Sequence, residues 1–177
     1  MTTRRSFLVA GLAGGAALAA AHWLRGTREP GPVSGPNAAL AALDAGAPMI
    51  IAAIVPVMLD GALPEEAAAR QAAVAETVAG VARAVGGLSP AAQKELAELF
   101  SLLALPPTRI ALAGVTTPWA EASSAAVAAF LERWRGSRWM LLRSAYDGLH
   151  QLILAAWYGN PRSWPSIGYP GPPAIAR

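Results

Sequence analysis

The chain contains no cysteine in 177 residues. Disulfides, c-type haem attachment, Fe–S ligation and Cys-based zinc sites are therefore excluded within the chain. Histidine is nearly absent as well: His22 and His150 are the two present. Asp147 lies one turn before His150, but no Glu-x-x-His pair or second nearby histidine completes a metal site, so His150 reads as a helix-surface or core-edge side chain.

Charge is thin: 14% of residues are charged against 54% hydrophobic, which argues against a chain disordered along its length. No GxGxxG, Walker A or G-x-S-x-G pattern occurs, so no dinucleotide cradle, phosphate loop or hydrolase elbow is signalled. "AVGGLS" before Pro90 reads as a helix stop. No stretch alternates apolar and polar residues with strand composition, and "MIIAAIV" from Met49 is the sole β-leaning run.

What is present begins with "TTRRSFLVAGLAGGAALAAA", which has the three-part layout of an export signal. Arg4 and Arg5 precede an apolar stretch from Phe7 to Ala21, and Ala19 and Ala21 frame an A-x-A cleavage site. The twin arginines followed by Ser6, Phe7 and Leu8 resemble the bacterial twin-arginine consensus, which sends folded proteins across the inner membrane. Fifteen apolar-stretch residues at ~1.5 Å each fall short of a ~30 Å hydrocarbon core. Continuation of that helix through His22, Trp23 and Leu24 would bring it near a span, so a cleaved signal and a retained anchor both stand.

Removing residues 1–21 takes away Arg4 and Arg5 and no acid, so the net charge falls from +3 to +1. The basic balance then says little about nucleic acid, and no nucleic-acid partner is expected. Arg133, Arg135, Arg138 and Arg143, interleaved with Trp134 and Trp139, form the one basic-aromatic concentration. They read as ion-pair partners or as covers of apolar surface with their stems.

Residues 22–35, including "RGTREPGPVSG", read as a linker. A helical domain over 36–158 follows, with proline-marked starts. "NAALAALDAG" reads as a short helix. "APMIIAAIVPVML" reads as an apolar helix that Pro56 kinks or ends. In the next helix Pro64 stands at the start, Glu65 and Glu66 occupy the first turn, and Gly86-Gly87 form the stop. Ser89 and Pro90 then open a helix with Leu96, Leu99, Phe100 and Leu103 on one stripe, and Pro106-Pro107 close it. Thr117 and Pro118 are expected to open the helix that breaks at Gly136. The final helix places Trp139, Leu142, Tyr146, Leu149, Ile153 and Ala156 on one stripe. Glu95, Glu98, and Glu132 with Arg135 read as solvated-face charge. The expected fold is all-α: an irregular antiparallel bundle with an N-terminal signal helix.

The chain closes on "AAWYGNPRSWPSIGYPGPP". Trp157 and Tyr158 are expected to end the last helix, Gly159, Asn160 and Pro161 to turn out of it, and residues 159–177 to form an extended arm. Trp157, Tyr158, Trp164 and Tyr169 together carry roughly 600–1,000 Å² of buriable side chain, comparable to the ~800 Å² that one partner contributes to a standard interface. The arm therefore needs a surface, which its own bundle, a second protein or both could supply. The candidate interface set is Trp157, Tyr158, Asn160, Trp164, Gly168, Tyr169, Pro170, Gly171 and Pro172.

From Trp119 to Pro173, and again at residues 3–9, the chain resembles the small, cofactor-free subunits of bacterial FAD-dependent dehydrogenases. These include gluconate 2-dehydrogenase subunit 3 and the small subunits of membrane-bound sorbitol and fructose dehydrogenases. In between, "PMIIAAIVPVMLDGALPEE" shares with them only an apolar helix ending in a proline and followed by a glycine-containing turn. The resemblance implies a glucose-methanol-choline type flavoprotein as the large-subunit partner, with FAD in that subunit and no cofactor or catalytic residue in this one. It also implies a multihaem cytochrome c subunit as a further partner and passage through the twin-arginine translocase to the periplasm, at the inner membrane. The competing reading is a free-standing periplasmic or membrane-anchored helical protein that binds a small ligand.

Overall fold

The segment "APMIIAAIVPVM" carries no charged side chain, so no face of a helix built from it favours water. In a computed structural model, which describes residues 46–172, it forms α1, Ala47–Met58. Ile50, Ile51, Ile54 and Val55 are fully buried at the centre of the core. Around it pack α2 (Ala67–Gly86), α3 (Pro90–Ala104), α4 (Ser124–Arg135) and α5 (Met140–Tyr158). The described residues form helices and turns with no strand, an all-α fold. The signal over 1–21 with Arg4, Arg5, Phe7, Leu8, Ala19 and Ala21, the linker over 22–35, the short helix expected from Asn37 and the last residues 173–177 lie outside the described residues.

Pro48 sits in the first turn of α1 and Pro56 in its last. The helix runs two residues past Pro56 because, so near the end, the missing N–H removes a single helical bond. The Leu59 N–H then closes on the Val55 carbonyl at 2.9 Å. Glu65 and Glu66 precede α2 rather than occupying its first turn. Glu66 is the N-cap, accepting from the Ala68 and Ala69 N–H groups at 2.8 and 2.6 Å. These two bonds hold its carboxyl below the usual carboxylate range. Ser89 caps α3 as expected, accepting from the Ala92 N–H at 3.3 Å. Phe100 and Leu103 on the expected stripe are buried, with Leu96 and Leu99 half-buried beside them.

The route from α3 to α4 departs most from the sequence expectation. α3 stops at Ala104, and a helical turn, Pro106–Thr108, runs on into a π-helical turn, Arg109–Ala113; this short run is bent 89° from α3. Such irregular backbone leaves carbonyls to be satisfied by side chains. The Thr108 hydroxyl lies against the Leu102 and Leu105 carbonyls, and the Trp119 indole donates to Leu103 O at 2.8 Å. Arg133 donates to Ala113 O, and the Trp134 indole to Leu112 O at 3.0 Å. Buried Arg109 donates to Val115 O at 3.1 Å and to Thr116 O at 3.4 Å. Gly114 ends the π turn at φ +59°, a left-handed conformation that favours glycine, with the Arg133 guanidinium lying alongside.

Thr117 and Pro118 do not open α4. Pro118 is extended, Trp119–Glu121 form a single 3-10 turn that buries Trp119, and Ser123 is the cap, accepting from the Ala126 N–H at 3.2 Å. Ser123 wins because it stands directly before the first helical residue, Ser124, and its hydroxyl reaches the N–H of the third, Ala126. Phe130 lies edge-on between Trp119 and Trp134, with ring centroids 5.8 and 4.7 Å away.

On α5, Leu149 and Ile153 are buried while Leu142, Tyr146 and Ala156 are half-buried, as the stripe requires. Trp139 leaves it. The helix begins one residue later, and the extended backbone of Trp139 at the N-cap points the ring off the core face. α2 and α5 approach closely where Gly80 meets Ala156: a Cβ on Gly80 would sit 3.0 Å from the Ala156 Cβ. Gly80→Leu should therefore lower stability by about 1–3 kcal/mol through overpacking. Gly80→Ala should stay within about 1 kcal/mol of wild type, because gained helix propensity offsets the tight contact. Denaturant unfolding of the two variants checks both values.

Candidate partner-binding site

The segment that follows α5 is a chain of local hydrogen-bonding residues. Gly159 closes the helix, its N–H bonding Ala155 O at 2.9 Å. Asn160 and Pro161 then start a 3-10 turn, Pro161–Ser163, with the Asn160 side chain accepting from the Arg162 N–H at 3.0 Å. A second turn, Pro165–Ile167, ends at Gly168, whose φ of +67° reverses the chain. The expected extended arm is thus coiled over 161–168, and the reason lies in the carbonyls left open at the end of α5. Ser163 Oγ reaches both Trp157 O and Asn160 O at 2.9 Å, and the Trp164 indole donates to Tyr158 O at 2.9 Å. An extended strand would leave those carbonyls without these partners.

A second set of contacts ties the turn to α2. The Asn160 amide donates to Glu76 Oε2 at 2.9 Å, while Arg162 donates through Nε to Oε2 at 2.8 Å and through Nη2 to Oε1 at 2.7 Å. The planar guanidinium engages both carboxylate oxygens, the geometry that makes an arginine pair directional. Arg162 first and Asn160 second hold the Glu76 carboxyl below the usual carboxylate range, and Glu76 raises Arg162 in return. Beyond the turns the chain folds over Trp164. Tyr169 meets its ring edge-on at 5.3 Å, and Gly171, at φ +101°, comes so close that a Cβ would lie 3.0 Å from it.

The candidate interface residues divide accordingly. Trp157 belongs to the bundle core, so its side chain is spent inside the protein; its buried indole N–H finds no acceptor among the described residues. Asn160, Trp164 and Gly171 are half-buried and hold the turn together. Tyr158, Ile167 and Tyr169 face outward, 42%, 53% and 44% exposed, with Gly168, Pro170 and Pro172 also exposed. Sequence reasoning missed Glu76, Arg162 and Ser163. The Asn160-Pro161 start of a turn was a local signal, but Glu76 lies 86 residues from Arg162 and no local pattern links them.

The remaining candidates show no comparable construction. His150 stacks on Tyr146 with centroids 5.7 Å apart, and Asp147 is exposed. No group of three or more His, Asp or Glu side chains gathers among the described residues. Arg135 pairs with Glu132 at 2.8 Å on the surface. A shallow apolar cleft of about 300 Å³ lies between α1 and the Trp119 turn, lined by Met49, Ala53, Pro56 and Trp119. No family model, curated protein or solved structure matches the chain.

The Glu76 clamp fixes the sign of a pH response. Its folded carboxyl titrates below its unfolded value, so the stabilisation is complete above about pH 4.3 and is lost as the pH falls through the lower folded value. The Trp164 indole N–H should lose hydrogen-exchange protection on acidification in wild type. In Glu76→Gln that protection should already be reduced at neutral pH and should show no step in the acid range.

Proposed function

We propose that this chain is a non-catalytic escort subunit of an exported FAD-dependent dehydrogenase of the glucose-methanol-choline type. The observation that carries the reading is the C-terminal arm. Its inner side is consumed in capping α5 and gripping Glu76, while Tyr158, Ile167, Tyr169 and Pro170 face outward from turns already in place. A surface ordered before binding loses less entropy when a partner arrives. Exposed tyrosines beside prolines supply large contact area with few rotatable bonds.

The N-terminal sequence supports the same reading. Arg4 and Arg5 ahead of a weakly hydrophobic stretch address the twin-arginine translocase, which carries folded cargo. A flavoprotein must fold around FAD before export, so a partner supplying that address solves its problem. In this reading the chain is an irregular antiparallel bundle behind an N-terminal signal helix, it holds no cofactor, and FAD sits in the large subunit. The complex works in the periplasm at the inner membrane, with a multihaem cytochrome c as the further partner.

Affinity purification of the tagged chain from periplasm should bring down a flavin-absorbing protein, and its absence there would sink the proposal. Ile167→Asp with Tyr158→Ala should cut that recovery at least tenfold while changing the chain's own stability by no more than about 0.5 kcal/mol, as expected of exposed side chains without internal partners. Arg4→Lys with Arg5→Lys should strand the dehydrogenase activity in the cytoplasm; unchanged periplasmic activity would exclude transport on this signal.

A further inference from the structure

At the opposite end of α5 from the arm stands the one consecutive run of exposed large apolar side chains among the described residues. Trp139, Met140 and Leu141 are 53%, 73% and 77% exposed. They occupy the N-cap and first two positions of the helix, where polar side chains usually stand. Met140 and Leu141, successive helical residues, are turned by about 100° from each other, and Trp139 leaves from the extended N-cap backbone, so the three do not share one helix face. A flat protein partner would cover one side of such a knob and leave the rest wet. A fluid apolar layer entered end-on covers all of it.

The surroundings select the kind of layer. From Arg133 to Arg143 the chain carries four arginines and no acid, a local charge of +4. Arg133 is engaged with the Ala113 and Ala129 carbonyls, Arg135 pairs with Glu132, and Arg143 donates to the Ser137 carbonyl. Arg138, next to the apolar run, is exposed and in no ion pair among the described residues. The nearest acids on the two helices are Glu132, already paired, and exposed Asp147, one turn beyond Arg143. Tryptophan at the headgroup boundary, aliphatic side chains below it and arginines on the phosphates is the composition of a peripheral membrane contact. No single helix among the described residues is long and apolar enough to cross a membrane, which suits a contact that dips in rather than spans.

We propose that the turn between α4 and α5 docks on an anionic lipid bilayer, with Trp139, Met140 and Leu141 entering the headgroup boundary and Arg138 and Arg143 meeting lipid phosphates. The inference does not rest on the escort reading. It is compatible with it, because α5 spans about 28 Å and separates this tip from the arm.

The absence of native cysteine lets Met140→Cys carry a single environment-sensitive fluorophore on the full chain. The apolar N-terminal stretch can itself hold the chain on vesicles, so the probe must report the tip and not mere binding. With phosphatidylglycerol-containing vesicles the probe at 140 should shift to the blue, weakly or not at all with pure phosphatidylcholine, and less as salt rises. A control probe at Asp147→Cys should stay aqueous. Adding Arg138→Glu and Leu141→Glu, both exposed positions, should weaken the response about tenfold with the helical circular dichroism unchanged. The proposal is overturned if the probe at 140 stays aqueous on vesicle-bound chain, or responds equally to uncharged vesicles. It is also overturned if the probe becomes buried without lipid as protein concentration rises, which would make the tip a protein contact.

Discussion

A helix with no polar face has to be surrounded, and α1 imposes that requirement on everything else. Its isoleucines and Val55 are fully buried, and α2, α3, α4, α5 and the Trp119 turn all pack against it. Burying such side chains is worth roughly 1.5–3 kcal/mol each. The other helices need only one apolar stripe apiece, which explains why alanine-rich sequences such as α2 suffice for them. Small side chains also set the spacing: Gly80 against Ala156 lets α2 and α5 close on each other.

Enclosing one helix with short connections forces awkward backbone between α3 and α4. The chain bends 89°, widens into a π turn and crosses a largely exposed irregular stretch, anchored by buried Val115 and Trp119, before α4 begins. Thr108, Arg109, Trp119, Arg133 and Trp134 supply donors to the carbonyls of this connection. Two of the tryptophans thus act twice, their rings flanking Phe130 and their indole nitrogens holding the connection. Rigidity in this region comes from side-chain donors rather than from regular structure.

The arm follows the same logic at the other end of the fold. Open carbonyls at the end of α5 draw Ser163 and Trp164 back, and Glu76 on α2 holds Asn160 and Arg162. With those groups engaged, the turn leaves Tyr158, Ile167 and Tyr169 facing outward. α5 therefore carries exposed aromatic side chains at each end, one set held by a charge clamp and one next to the exposed Arg138. A protein contact at the arm and a lipid contact at the tip would both be positioned by one rigid helix.

Local chemistry made much of this legible in advance. An all-α chain follows from alanine content, proline starts and the 3.6-residue stripes, and the caps at Ser89 and Gly136 are where short-range preferences put them. The turn out of α5 at Gly159 and Asn160 was equally local. The errors have one physical source, competition between alternatives of similar local merit. Ser123 displaced Thr117 as a cap, Glu66 became a cap rather than a first-turn charge, and Trp139 fell just outside its helix. By itself the sequence determined the main helices among the described residues and their apolar centre. Only the tertiary structure decided that the arm coils instead of extending, that Trp157 is core and Tyr169 surface, and that Glu76 grips Arg162. The clamp and the burial of Trp157 depend on groups far apart in the chain that meet once α1 has been enclosed, whereas the coil depends on which of the last α5 carbonyls Ser163 and Trp164, six residues on, can reach.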